Sequence, residues 1–126
     1  VDEQPGDLGG WLGALRDPQI GAALGLIHRE PRRDWSVSSL AHEVAMSRSL
    51  FATRFNSLVG APPLTYLTRW RLRQAASLLV EERLSVGETA LRVGYESEAA
   101  FSKAFKRQFG QSPLAYRRNQ PRSGGG

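Results

Sequence analysis

The residues best equipped for chemistry in this sequence are its cations, and they are unevenly placed. Between Glu43 and Glu81 there is no acidic residue, but there are Arg48, Arg54, Arg69, Arg71 and Arg73. After Glu98 there is again none, while Lys103, Lys106, Arg107, Arg117, Arg118 and Arg122 follow. The formal net charge is +5. Cations segregated from carboxylates suit a polyanion, a nucleic acid before an acidic membrane surface. A solvated basic face is the plainer alternative.

Catalytic groups form no comparable set. His28 and His42 fall in different helical stretches, and His42-Glu43 lacks the second histidine of the H-E-x-x-H zinc pattern. With no cysteine, the chain has no disulfide framework and no thiolate ligand or nucleophile. No nucleophile–base pairing or glycine-rich phosphate loop is visible. We therefore expect no enzyme, no cofactor and no metal. No apolar run approaches the roughly 18 residues that span a bilayer, and the N-terminus does not read as a signal peptide. The expected location is the cytoplasm, on the nucleoid, with no membrane partner. The chain begins with Val rather than Met, and we expect a fragment of a longer protein.

The elements that must position these cations read as helices. Asp17 and Pro18 are an N-cap and a first-position proline for a helix to about Arg29, ended by Pro31. A short helix opens at Trp35-Ser36-Val37, with Leu40, Ala41 and Val44 as its apolar stripe. Ser47 caps a third, with Leu50, Phe51, Phe55 and Leu58 at helical spacing, and Gly60 stops it. Pro62-Pro63 starts a long helix to about Glu81, close to about 30 Å at about 1.5 Å per residue. Its buried face is expected to hold Leu64, Leu67, Leu72, Ala75, Leu78 and Leu79. Ser85 caps a fifth helix, and Glu88 would complete a capping box. Ser97 caps a sixth, burying Phe101, Phe105 and Phe109, and Ser112-Pro113 starts a seventh. No segment alternates with period two, so the expected fold class is all-α with seven helices.

These helices repeat. Ser36, Val37, Ala41 and Val44 recur as Ser85, Val86, Ala90 and Val93, an offset of 49. Phe51, Phe55, Gly60, Pro63 and Tyr66 recur as Phe101, Phe105, Gly110, Pro113 and Tyr116, an offset of 50. The extra residue falls around Tyr95 and Glu96. Each copy is a short capped helix, a tight turn and a longer helix, the helix-turn-helix shape. Ala41 and Ala90 are small where the helices approach. Gly94 suits a left-handed turn, whereas Ala45 holds that place under strain. The expected organisation is a lead-in over 1–16, a first helix-turn-helix subdomain over 17–60, a linker helix over 61–82, a second subdomain over 83–119 and a tail over 120–126. The second helix of each copy turns its phenylalanines one way. Its first turns offer Arg48, Ser49, Ala52 and Thr53, or Glu98, Ala99, Ser102 and Lys103, the other way.

The second copy, SVGETALRVGYESEAAFSKAFKRQFGQSPLAYRR over 85–118, closely resembles the signature region of the AraC/XylS family of bacterial transcription regulators. Val93, Gly94, Tyr95, Ser97, Phe101, Phe105, Lys106, Phe109, Gly110, Ser112, Pro113, Tyr116 and Arg117 fill the family pattern. The first copy resembles it through Leu40, Ala41, Met46, Ser47, Arg54, Phe55, Gly60 and Pro63, and RLRQAASLL over 71–79 looks like the linker helix. Other stretches, among them PPLTYLTRWR, resemble members with a cupin-type N-terminal domain. The resemblance implies two homeodomain-like subdomains whose recognition helices enter successive major-groove segments of double-stranded DNA, about 34 Å apart. It also implies an N-terminal effector-binding or dimerising domain outside this chain, and RNA polymerase as a further partner.

By position, the resemblance makes Arg48, Ser49, Ala52, Thr53, Glu98, Ala99, Ser102 and Lys103 the base-reading candidates. Arg48 or Lys103 can donate to guanine O6 and N7, Glu98 can accept from cytosine N4, and Ala52, Ala99 or the Thr53 methyl can meet a thymine methyl. The alternative for Arg48 is a phosphate contact, and for Glu98 stabilisation of a helix N-terminus. Ser36, Arg54, Ser85, Lys106 and Arg107 are the phosphate candidates. Arg54 has the alternative of an internal ion pair with Glu43 or another acid. Arg71 and Arg73 fit intramolecular pairs or solvated helix better than DNA.

Overall fold

Asp17 shows how local chemistry starts the fold. Its carboxylate accepts the backbone N–H groups of Gln19 at 3.0 Å and Ile20 at 3.1 Å. Pro18 occupies the first turn, where its missing donor costs nothing, and α1 runs Pro18–Arg29. The computed structural model describes residues 16–120. The expected lead-in through residue 15 and the tail from residue 121 lie outside the described residues.

Six further helices follow, α2 (Val37–Glu43), α3 (Arg48–Val59), α4 (Pro63–Ser77), α5 (Val86–Arg92), α6 (Glu98–Phe109) and α7 (Pro113–Asn119). No strand occurs among the described residues. The chain divides into two compact units. One holds the residues up to Glu30 and Asp34–Thr68, the other Pro31–Arg33 and the residues from Arg69 onward. Helix α4 therefore contributes its first residues to one unit and the rest to the other.

In the first unit, Ile20, Leu24 and Ile27 of α1 are buried with Leu40 and Ala41 of α2 and Phe51 and Phe55 of α3. Trp35 is also buried and donates its indole N–H to the Glu30 carbonyl at 2.9 Å. Gly60, in the left-handed conformation, ends α3. Tyr66 then meets the Phe55 ring edge-on, with centroids 5.9 Å apart. The second unit repeats this. Gly110 ends α6 in the same conformation, and Tyr116 meets the Phe105 ring edge-on at 5.3 Å. The repeated glycine–proline–tyrosine spacing thus stops a helix, restarts the chain and returns an aromatic ring to the helix just ended.

The second core gathers Leu72, Ala75, Ala76 and Leu79 with Ala90, Val93, Phe101 and Phe105. Phe109 is half-buried rather than buried. Leu64, expected on the buried face, is 40% exposed, and its counterpart Leu114 is 49% exposed. Both sit one residue after the helix-starting proline, on the outer side of the first turn.

Two further expectations are corrected. The long helix is not α-helical to Glu81. It ends at Ser77 and continues as a single π turn, Leu78–Glu82. The 15-residue α-helix is about 22 Å long at 1.5 Å per residue, not about 30 Å. Arg83 closes the π turn in the left-handed conformation, and its N–H bonds the Leu78 carbonyl five residues back. In addition, Glu88 completes no capping box. Ser85 accepts the Glu88 N–H at 3.1 Å, but the Glu88 carboxylate lies 3.6 Å from Arg92, one turn along the helix. The reciprocal cap occurs in the first copy instead, where Ser36 and Ser39 exchange bonds of 3.0 and 2.9 Å.

Candidate nucleic-acid interface

A turn of the same geometry leads into α3 and into α6. The Met46 N–H reaches back to the Ala41 carbonyl at 2.9 Å, and the Tyr95 N–H to the Ala90 carbonyl at 2.9 Å. Ala41 and Ala90 are both buried, so a larger side chain would force the helices apart. Between these bonded pairs, Ala45 (φ 60) and Gly94 (φ 100) take the left-handed conformation. One residue, Met46, separates the first turn from its cap, whereas Tyr95 and Glu96 separate the second from Ser97. That is the extra residue of the repeat.

Serine caps then start both second helices. Ser47 accepts the Leu50 N–H at 3.2 Å, and Ser97 accepts the Ala100 N–H at 3.0 Å. With Phe51 and Phe55, or Phe101 and Phe105, turned to the core, the rest of each first turn stands at the surface. Arg48, Ser49 and Thr53 are exposed and Ala52 is half-buried. Glu98, Ala99 and Lys103 are exposed and Ser102 is half-buried. Lys106 and Arg107, also exposed, extend this face of α6 by one turn, since residues four apart are neighbours on a helix. In α3 the corresponding positions are Asn56 and Ser57, so α6 is the more strongly charged of the two. Ser36 and Ser85 lie exposed at the starts of α2 and α5, where orphan backbone N–H groups favour an anion.

Three cations of the acid-poor segments point inward. Arg54 Nη1 lies 3.4 Å from Asp17 Oδ2 and 3.4 Å from Gln19 Oε1, so its alternative as an internal ion pair is the geometry observed, with Asp17 rather than Glu43. Arg71 donates from Nε to the Pro31 carbonyl at 2.6 Å and from Nη2 to the Arg33 carbonyl at 2.9 Å. Arg117 donates from Nη1 to the carbonyls of Leu84 at 2.8 Å and Leu79 at 3.3 Å.

Sequence reasoning missed two supporting groups. The Gln19 side chain donates to the Val44 carbonyl at 2.9 Å and holds the first turn against α1. The internal role of Arg117 was hidden among its basic neighbours. Burial raises the pKa of the Tyr95 hydroxyl, opposed by the charges of Arg71 and Arg107. Among the described residues no group of His, Asp and Glu side chains is arranged to hold a metal ion, and no helix is long and apolar enough to cross a membrane.

Comparison with known proteins matches the same repeated architecture. The helix-turn-helix domain family matches residues 40–119. The HTH-type transcriptional regulator AlkR of Acinetobacter baylyi is 52% identical over 107 residues, covering 85% of this chain and 35% of that protein. A putative AraC-like transcription regulator of Streptomyces lividans is 45% identical over 119 residues, covering 94% of this chain and 39% of that protein. This chain thus spans little more than a third of the length of these relatives. Among solved structures, the C-terminal domain of AraT, a response regulator from Geobacillus stearothermophilus, superposes with a TM-score of 0.80 at 31% identity, covering 86% of this chain and 90% of that one. The DNA-binding domain of AdpA, solved in complex with a target DNA, superposes with a TM-score of 0.76 at 38% identity, covering 81% and 91%. With its paired turns, its serine-capped second helices and a family match that takes in both copies, the chain belongs to the AraC/XylS family of helix-turn-helix proteins.

Proposed function

We propose that this chain binds double-stranded DNA at specific sequences through the first turns of α3 and α6, and regulates transcription by doing so. One observation carries this. In both copies a serine cap starts the second helix so that its phenylalanines enter the core and its short polar side chains stand free at the surface. A helix presented in this way fits the major groove. The AdpA domain, solved on its target DNA, supports the reading.

In this reading Arg48 and Lys103 donate to guanine, Glu98 accepts from cytosine, Ala52, Ala99 and the Thr53 methyl meet thymine methyls, and Ser49 and Ser102 bond whichever edge they face. Lys106 and Arg107 take phosphates, with Ser36 and Ser85. We leave Arg54 out of the phosphate set, because its guanidinium is held by Asp17 and Gln19. The function needs no catalytic group, cofactor or metal, and its setting is the bacterial cytoplasm. An effector-binding or dimerising domain outside this chain would govern it, and RNA polymerase would be a further partner.

Selection of sites from a random duplex library tests the reading. Two short boxes about one helical turn apart are expected, because two reading helices occupy successive major-groove segments. Affinity should fall steeply with salt as counterions are released. Binding that stays weak and unselective on every duplex would favour the rival reading, a basic helical module that docks an acidic protein.

A further inference from the structure

Glu98 is the one carboxylate among the proposed base-reading residues, and its side chain has a specific seat. Its Oε1 atom lies 3.1 Å from the point that a Cβ at residue 87 would occupy. Residue 87 is glycine, in the first turn of α5. The first copy is built differently at both places. By the offsets of the repeat, Gly87 corresponds to Ser38 and Glu98 to Arg48. The copy with a carboxylate at the start of its second helix is therefore the copy with no side chain at the facing position.

We propose that Gly87 is a specificity-positioning residue: by leaving its Cβ position empty it lets the Glu98 carboxylate lie back against α5, and so sets where on the α6 reading surface that negative charge stands. This rests on the reading that Glu98 faces bases. A methyl group at 87 would meet the Oε1 atom more tightly than nine in ten real Cβ contacts. The flexible end of Glu98 would yield by a few tenths of an ångström, not the backbone, so the fold survives while the carboxylate shifts relative to the base edge it faces.

The test is a four-way comparison of the 126-residue chain: wild type, Gly87→Ala, Glu98→Ala and the double variant. Thermal melts establish that each is folded, and binding is measured on the selected site and on all single-base variants of its α6 box. Glu98→Ala should change the preference at one base pair by about fivefold or more, the low end for a specific contact. Gly87→Ala should alter preference at the same pair, and should do nothing further once Glu98 is alanine. An effect of Gly87→Ala that persists undiminished in the double variant would overturn the inference, because position 87 would then act through its own contact with DNA. So would a Gly87→Ala protein that reads every base as wild type does. If Glu98→Ala leaves all preferences unchanged, the base-reading role of Glu98 itself has failed, which is a separate result.

Discussion

Arg117 of α7 donates one guanidinium nitrogen to the carbonyl of Leu79, at 3.3 Å, inside the π turn that follows α4. In an α-helix that carbonyl would receive the N–H of Arg83, but the Arg83 N–H bonds Leu78 instead. The guanidinium stands in for the lost backbone donor and also bonds Leu84 at 2.8 Å. Truncating one partner of a charged hydrogen bond and leaving these part-buried carbonyls without it costs about 1.5–3 kcal/mol. Arg117→Ala should therefore lower the unfolding free energy of the chain by about 1.5–3 kcal/mol, read as a lower denaturant midpoint at unchanged slope. If Arg117 acted mainly as a surface cation, stability would be unchanged and only DNA affinity would fall.

The two left-handed turn residues make opposite predictions. Ala45 holds φ 60, which a Cβ makes unfavourable by about 1–2 kcal/mol. Glycine relieves this but gains about 0.4–1 kcal/mol of freedom in the unfolded chain. Ala45→Gly should thus stabilise by about 0.5–1 kcal/mol. Gly94→Ala should destabilise by more than the strain alone, since its Cβ would lie 3.1 Å from the Arg32 backbone and 3.2 Å from the Arg71 guanidinium. Chemical denaturation of both variants checks the pair, and a less stable Ala45→Gly protein would refute the strain argument.

Lys103 and Lys106 should separate base reading from phosphate contact. Lys103→Ala is expected to cost about 1–3 kcal/mol on the preferred site and to relax one position within it. Lys106→Ala should weaken all duplexes alike and reduce the salt slope by about one. Binding titrations at several salt concentrations on specific and scrambled duplexes distinguish the two. A uniform loss for Lys103→Ala would move it to the phosphate set.

His28 should make the first unit sensitive to acid. Burial lowers its pKa from the ordinary 6.5, and a 2.6 Å hydrogen bond joins its ring to the Tyr66 hydroxyl. The folded state therefore binds the proton less readily than the unfolded chain. Its contribution is fully present above 6.5 and is lost as pH falls from there through the folded value. Denaturant midpoints across about pH 5 to 8 should decline on the acid side, and His28→Gln should flatten that part of the curve.

Phe105 anchors the second core. It is fully buried, with the rings of Phe101, Phe109 and Tyr116 at 5.6, 4.5 and 5.3 Å. Phe105→Ala should cost about 3–5 kcal/mol and abolish the cooperative melt of that unit. Lys106→Ala, one residue further along, should leave the melt untouched.

Local features of the chain were legible because each rests on chemistry within a few residues. Asp17-Pro18, Ser47, Ser97 and Ser112 announce helix starts that the backbone obeys. The phenylalanine spacing identifies the buried stripes of α3 and α6. The repeat predicts both turns and even the position of the extra residue. The exposed face proposed to read DNA was legible from the same facts, because once Phe101 and Phe105 face the core, Ala99 and Lys103 have only solvent to face.

What the sequence could not determine is where its inward-looking charges are met. Arg71 fits an intramolecular pair or solvated helix and Arg54 has an internal ion pair as its alternative, but the sequence names neither observed partner, and Arg117 reads like Arg107 in a linear chain. Their partners, Asp17, the Pro31 and Arg33 carbonyls and the Leu79 and Leu84 carbonyls, stand 37, 40, 38, 38 and 33 residues away. The π turn was hidden for the same reason, since LLVEE carries no local breaker and a guanidinium from α7 meets the carbonyl it leaves open. Sequence by itself determined two helix-turn-helix units and the helix faces they expose, because caps, turns and apolar periodicity act over one or two helical turns. Tertiary structure alone decided which cations remain for a polyanion, because a charge turns inward only where folding brings a distant acid or an unpaired carbonyl to meet it.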